Sequence, residues 1–275
     1  MGRMIDRRQD TGPAPYDDLT PEHLLDAIET TGLRPDGRLL ALNSYENRVY
    51  QVWQDDGPVV VAKFYRPGRW SDAQILEEHA YSTELAETEL PVVAPLAAAD
   101  GSTLCHDHGF RYALYPRQGG HWPPLDAPET LYRLGRLLGR IHAVGARTRF
   151  AERPTLTVER CGHEPRAAVL AGPWLPDYLR PAYESVSRDL LAAIGAAFAG
   201  VRCRTIRLHG DCHPGNLLWT EAGCHFVDLD DAVNGPAVQD LWMLLSGERA
   251  EREAQLAELI EGYREFGDFD VRELV

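Results

Sequence analysis

Leu208-His209-Gly210-Asp211-Cys212-His213-Pro214-Gly215-Asn216-Leu217-Leu218 reads as an apolar strand, a polar loop and a second apolar strand. After a turn at Glu221-Ala222-Gly223, the run Phe226-Val227-Asp228-Leu229-Asp230-Asp231 adds a third strand ending in acidic residues. The pattern is H-x-D-x-x-x-x-N with Asp228 twelve residues beyond the Asn. Phosphoryl transfer from ATP needs these residue types. One carboxylate, Asp211, accepts or orients the proton of an attacking hydroxyl, while the amide oxygen of Asn216 and the carboxylate of Asp228 hold Mg²⁺ on the phosphates. The alternative is a loop whose Asp, Asn and His side chains only cap turns.

Working outward, the C-terminal side is helical. Leu131, Leu134, Leu138 and Ile141 step by three, four and three residues, one face of a helix that Gly145 ends. Behind Pro181, the residues Tyr183, Val186, Leu190, Ile194 and Ala197 repeat that stripe. Short strands are predicted over 206–208, 217–219 and 226–229, and helices over 238–245 and 254–266. The N-terminal side reads differently. Thr20-Pro21 opens a helix that Gly32 ends, and strands follow over 39–42, 49–53 and 59–65. Ser71 with Gln74 forms a capping box for a further helix, and 103–104 pairs with 110–115 across His108-Gly109. The breaker-rich Pro116-Arg117-Gln118-Gly119-Gly120 separates the two regions. The expected organisation is an α+β fold with a loose tail over 1–20, a β-rich lobe over 21–116 and a helical lobe over 117–275.

The 275 residues are 44% hydrophobic and 25% charged, a composition that folds. A net charge of −14 repels phosphodiester backbones and anionic lipid, which speaks against nucleic-acid and membrane partners. The opening residues lack an apolar export segment, and Asp6 stands where a myristoylation signal needs Ser or Thr. Cys105, Cys161, Cys203, Cys212 and Cys224 are an odd count without a C-x-x-C pair, suited to a reducing cytoplasm rather than to a disulfide framework. The pairs Cys212-His213 and Cys224-His225 raise a zinc reading, but strand alternation sends Cys224 and His225 to opposite faces, against one tetrahedral site.

Val59-Val60-Val61-Ala62-Lys63 is an apolar strand ending in lysine, like the V-A-I-K strand of kinases. Lys63 reaches ATP phosphates if a helix carboxylate steadies it, and Glu77 and Glu78 lie 14 and 15 residues on. No G-x-G-x-x-G separates the first two strands; Asn43-Ser44-Tyr45-Glu46-Asn47 stands in its place. The loop from His209 to Asn216 with Asp228 resembles the catalytic and metal-binding segments of the aminoglycoside phosphotransferase and choline kinase group, distant relatives of the protein kinases. Longer segments are similar to a bacterial family of stress-response Ser/Thr protein kinases within that group. They are Leu42-Asn43-Ser44-Tyr45-Glu46-Asn47-Arg48-Val49-Tyr50-Gln51, Lys63-Phe64-Tyr65-Arg66-Pro67, Gln74-Ile75-Leu76-Glu77-Glu78-His79 and Asn234-Gly235-Pro236-Ala237-Val238-Gln239-Asp240-Leu241-Trp242-Met243-Leu244-Leu245. The resemblance runs from about Pro21 to the C-terminus.

That resemblance implies a bilobal, protein-kinase-like fold that binds ATP and Mg²⁺. It implies Asp211 as catalytic residue, Asn216 and Asp228 as metal ligands, and Ser44 at the nucleotide. It favours Glu78 over Glu77 as the partner of Lys63. The stretch from Ala113 to Pro116 would be the connector facing adenine, with Tyr115 in it. Asp240 would hydrogen-bond the backbone of the catalytic loop, its plain alternative being a first-turn helix Asp favoured by the dipole. His209 is read as orienting the loop rather than transferring protons, and Asp230 and Asp231 as solvated or capping, with assistance in metal binding as the alternative. The implied acceptor is a protein Ser/Thr hydroxyl, in the stress response. Asp211 would serve a choline, sugar or aminoglycoside hydroxyl equally well, and a MgATP-sensing module without turnover is a third reading. The expected protein is a cytoplasmic monomer. The family's chains continue past the position of Val275 into further helices, so the helical lobe is expected to be shorter here, with an apolar patch open on one side.

Overall fold

Thr20 sets the first helix: its hydroxyl accepts from the His23 N–H at 3.3 Å, Pro21 takes the first helical position, and α1 spans Pro21–Glu29. The computed structural model describes residues 15–201 and 203–274. They fall into two compact units, 15–79 with 94–117, and 80–93 with 118–274.

The first unit is built on a five-stranded antiparallel sheet. Its strands are β1 (Pro35–Leu42), β2 (Arg48–Gln54), β3 (Val60–Phe64), β4 (Cys105–Asp107) and β5 (Phe110–Pro116), in the order β1-β2-β3-β5-β4. β1 begins four residues before the predicted 39–42, at the cost of a register shift between Pro35 and Leu39. The short strand predicted over 103–104 forms instead as β4, directly beside the His108-Gly109 turn where antiparallel pairing closes. Central β3 is the most buried strand, and its register sets Lys63 opposite Val49 of β2 and Ala113 of β5. Leu24, Ala27 and Ile28 of α1 cover one face with Val52, Ala62, Phe64 and Tyr112, each large side chain contributing about 1.5–3 kcal/mol by burial. Helix α2 (Asp72–Glu87) opens with the predicted capping box. The Gln74 N–H donates to the Ser71 hydroxyl at 3.2 Å and the Ser71 N–H to the Gln74 side chain at 2.9 Å. Of the expected tail, residues 1–14 lie outside the described residues, while Tyr16 stacks on Phe110 with Arg48 over its ring at 4.5 Å.

The second unit contains α3 (Pro128–Gly145), a π turn over Glu159–His163 leading into α4 (Glu164–Ala171), and α5 (Arg180–Gly200). Two antiparallel ribbons follow, β6 (Ile206–Leu208) with β9 (Val233–Gly235), and β7 (Leu217–Thr220) with β8 (Gly223–Phe226). Helices α6 (Val238–Trp242) and α7 (Arg249–Tyr263) complete it. The predicted α3 stripe is buried throughout. A Cβ on Gly135 would meet the Leu259 carbonyl oxygen at 2.0 Å and one on Gly139 the Tyr263 oxygen at 2.6 Å, so glycine is what lets α3 and α7 pack backbone to backbone. The α5 stripe behaves otherwise: Val186 and Leu190 are 65% and 58% exposed, and Ser187 and Leu191 are the buried pair. Periodicity identifies an apolar face without saying whether anything covers it. Among the described residues no helix is long and apolar enough to cross a membrane.

Candidate active site

β6 delivers the chain into the loop from His209 to Asn216, and the first constraint there is steric. Gly210 has φ +86°, and a Cβ on it would meet the Asp231 carbonyl oxygen at 2.0 Å. Both the left-handed conformation and the close approach require glycine. The second constraint is electrostatic. Asp240 of α6 is fully buried, and its carboxylate accepts the His209 and Gly210 N–H groups, each at 2.8 Å. His142 of α3 donates from Nε2 to the same carboxylate at 3.0 Å, and its Nδ1 shares a 3.0 Å hydrogen bond with the Tyr263 hydroxyl of α7. Burial by itself would raise the Asp240 pKa; the His142 hydrogen bond, the nearby histidines and the Gly210 N–H outweigh it and hold the group below the usual carboxylate range. The Gln239 amide donates to the Gly210 carbonyl at 3.0 Å. The loop backbone is thus gripped from α6, which is in turn braced by α3 and α7.

This grip leaves Asp211 accessible. Its side chain is 37% exposed, with His213 Nε2 at 3.6 Å from one carboxylate oxygen. Asn216 is buried and spends its amide N–H₂ on Asp211, donating to the backbone carbonyl at 2.9 Å and to the carboxylate at 3.3 Å. That orientation leaves the amide oxygen of Asn216 as its ligating atom. The Val227 N–H donates to the Asn216 carbonyl at 3.0 Å and His209 Nε2 to the Val227 carbonyl at 3.0 Å, so Asp228 follows directly on a residue tied to the loop. Asp228 itself is left-handed, φ 60° and ψ 63°, a conformation that Asp tolerates better than most side chains. Asp230, read from sequence as solvated or capping, is buried instead, in a segment whose Asp230 and Ala232 backbone carbonyls accept from the buried Arg153, the latter from its Nε at 2.8 Å.

The remaining predicted residues lie in the first unit. Lys63 and Glu78 are both buried, at 5% and 2% exposure, and the Lys63 ammonium lies 5.3 Å from the centre of the Tyr65 ring. Glu77, the other candidate, is on the more exposed side of α2. The Tyr115 hydroxyl is 3.0 Å from that of Tyr65 and 3.4 Å from His79 Nε2, so its polar end belongs to an internal network that Thr103 closes through His79 Nδ1. Ser44 is half-buried in the turn between β1 and β2. The turn is anchored by buried Asn47, whose side-chain oxygen accepts the Arg66 N–H at 3.1 Å, and by the Glu46–Arg66 ion pair.

Among the described residues no three His, Cys, Asp or Glu side chains gather as a metal cluster, the two Cys–His pairs included. One carboxylate with one amide oxygen is the sparse donor set that Mg²⁺ accepts when phosphate oxygens and water complete its shell. Burial pushes the Cys212 thiol well up and the Cys224 thiol up to about 12, so both remain protonated packing groups. His142, Tyr263 and Arg153 were not legible as site residues. His142 did carry a signal, since it follows Leu138 by four and is a polar group on an apolar stripe.

Residues 38–274 match the phosphotransferase enzyme family. The chain belongs to that family. Stress response kinase A of Escherichia coli (strain K12) is 44% identical over 259 residues, which are 94% of this chain and 78% of that protein. Serine/threonine protein kinase RdoA of Salmonella typhimurium is 44% identical over the same share of each chain. Among solved structures, the amicoumacin kinase in complex with AMP-PNP, Ca²⁺ and Ami matches with a TM-score of 0.74 at 17% identity, over 90% of this chain and 79% of that one. The α+β architecture is therefore the phosphotransferase fold, and the chain is a phosphotransferase whose relatives in sequence are named kinases.

Proposed function

We propose that this phosphotransferase moves the γ-phosphoryl group of ATP to a hydroxyl, with Mg²⁺, and that the acceptor is a Ser or Thr of a protein. The observation that carries the reading is the Asp211–Asn216 pair: an accessible carboxylate whose orientation is fixed by a buried amide, on a loop gripped from beneath by Asp240. Asp211 takes or orients the proton of the acceptor hydroxyl. Asn216 and Asp228 offer the oxygen atoms for Mg²⁺, which when bound supplies positive charge at the phosphates. Lys63 adds fixed positive charge there, with Glu78 as its partner. A lysine and a glutamate this deeply buried in one unit are rarely so unless paired. Ser44 and the backbone N–H groups of its turn meet the phosphates, and the β5 end at Tyr115 meets adenine. The protein acceptor rests on the names of the relatives at 44% identity. Five free cysteines suit a reducing cytoplasm, with the single chain as the working unit.

Labelled phosphate from ATP, offered to generic protein acceptors and to a panel of small hydroxyl compounds, tests this directly. Protein labelling by wild type is expected. Asp211→Asn keeps shape but not proton acceptance, so transfer falls by about 10²–10⁴-fold while calorimetric ATP affinity stays within a few-fold. Transfer by the variant at the wild-type rate overturns the role of Asp211. Labelling of small hydroxyls alone moves the reading to a small-molecule kinase, and MgATP binding without any transfer moves it to a sensor.

A further inference from the structure

A cavity of about 520 Å³ opens in the second unit, and none of the residues assigned to phosphoryl transfer lines it. One wall is α3, which presents Arg133, Arg136 and Arg140 at i, i+3 and i+7, hence on one face. The others are the β7–β8 ribbon, through Trp219 and His225, and Phe266 beyond α7. In a chain of net charge −14, three guanidinium groups in one concavity reverse the local sign.

The guanidinium groups are already oriented. Arg133 lies over the Trp219 ring at 4.9 Å, and Arg136 and Arg140 over the Phe266 ring at 5.6 and 5.9 Å. A stacked guanidinium has its plane fixed and its N–H edge still free to bind. The acidic groups present do not cancel the charge. Glu265 pairs with Arg136 at 2.8 Å and Glu89 also lines the cavity, but Arg133 and Arg140 have no ion pair among the described residues. Seven residues of helical rise separate those two by about 10 Å along the axis. His225, on the same wall, has Nδ1 buried with no hydrogen-bond partner, a cost that a bound group would remove. The volume is that of a small-molecule site rather than of a flat contact.

We propose that this cavity binds a small multivalent oxyanion whose charged ends are held by Arg133 and Arg140. Phosphate chains and polycarboxylates share the chemistry, since either offers paired oxygens to a guanidinium fork. Because binding alone is measured, the proposal stands or falls apart from the phosphotransfer reading.

Calorimetry on the whole chain with tripolyphosphate and with citrate separates the two sources, and the part of the tryptophan emission change that is lost in Trp219→Phe, one of six tryptophans, reports the cavity itself. Saturable binding with a change in Trp219 emission is expected for at least one anion. It is expected to weaken at least tenfold in the Arg133→Gln, Arg140→Gln double variant and to persist in Lys63→Ala. Should the double variant fail to fold, each single variant carries the same test with a smaller loss. Absence of saturation below about 10 mM, which is weaker than any useful site of this kind, overturns the proposal. So does an affinity indifferent to both arginines.

Discussion

The loop from His209 to Asn216 and the turn from Asn43 to Asn47 are both short, polar connections between strands, and they are held in opposite ways. The loop has two backbone N–H groups captured by a fully buried carboxylate, which is itself fixed by His142 and, through it, Tyr263. The turn has one buried anchor, Asn47, and an ion pair at the surface, while Tyr45 stands 92% exposed. Groups that must be in place as charge develops gain from being fixed beforehand. Groups that admit and release a nucleotide gain from yielding. Under the proposed function, the loop is expected to be stiff where the proton moves and the turn pliant where the phosphates enter.

The largest effect should follow from breaking the grip. Asp240→Ala leaves two N–H groups and His142 without their acceptor, at a cost of about 3–5 kcal/mol, read as a lower urea midpoint, with transfer lost as well. An unshifted midpoint would erase the contrast between loop and turn. The same carboxylate makes a pH prediction. Its folded pKa is depressed, so its stabilisation is complete above the ordinary carboxylate value of about 4 and is lost as pH falls through the folded value. Wild type should lose stability on acidification over that range more steeply than Asp240→Asn; parallel acid-unfolding curves would remove Asp240 as the titrating group.

A smaller effect tests the pair proposed between buried Lys63 of β3 and Glu78 of α2. Lys63→Ala and Glu78→Ala should each lower both transfer and stability, and the stability loss of the double variant should fall short of the sum of the two single losses by about 0.5–3 kcal/mol, as for charges that share one burial. Additivity would separate the two side chains. The smallest effect belongs to the turn. Glu46→Ala removes a partly exposed ion pair worth at most about 1 kcal/mol, so the midpoint should barely move, while nucleotide dissociation in stopped flow changes more than turnover at saturation. A stability loss as large as that of Asp240→Ala would make the turn as rigid as the loop.

How far the sequence could be read follows from where its signals are local. The capping box at Ser71 and the α3 stripe depend on residues three or four apart, and both formed as spaced. The strand-loop-strand order around Asp211 was readable for the same reason. The α5 stripe misled because cover is supplied by other segments, leaving Val186 exposed while its neighbour Ser187 is buried. β9, three residues long between an acidic turn and a proline, has no periodicity to detect; it exists because Ile206–Leu208 offers a ladder to pair with. The sequence around Asp240 fits a first-turn helix residue as well as a clamp, and only the arrival of His209, Gly210 and His142 at one carboxylate distinguishes them.

α3 carries three separate duties on its successive faces. Gly135 and Gly139 admit α7, His142 reaches Asp240, and Arg133, Arg136 and Arg140 line the basic cavity. Each duty depends on angle around the axis, and one added residue turns everything beyond it by about 100°. An insertion before Gly139 would therefore drive a side chain into the Tyr263 carbonyl, swing His142 off its carboxylate and scatter the arginines in a single event. Away from Gly135, Gly139 and His142, substitutions along α3 can be accepted one at a time, but its length cannot drift, and the helix acts as the gauge against which loop, partner helix and cavity are all kept in phase.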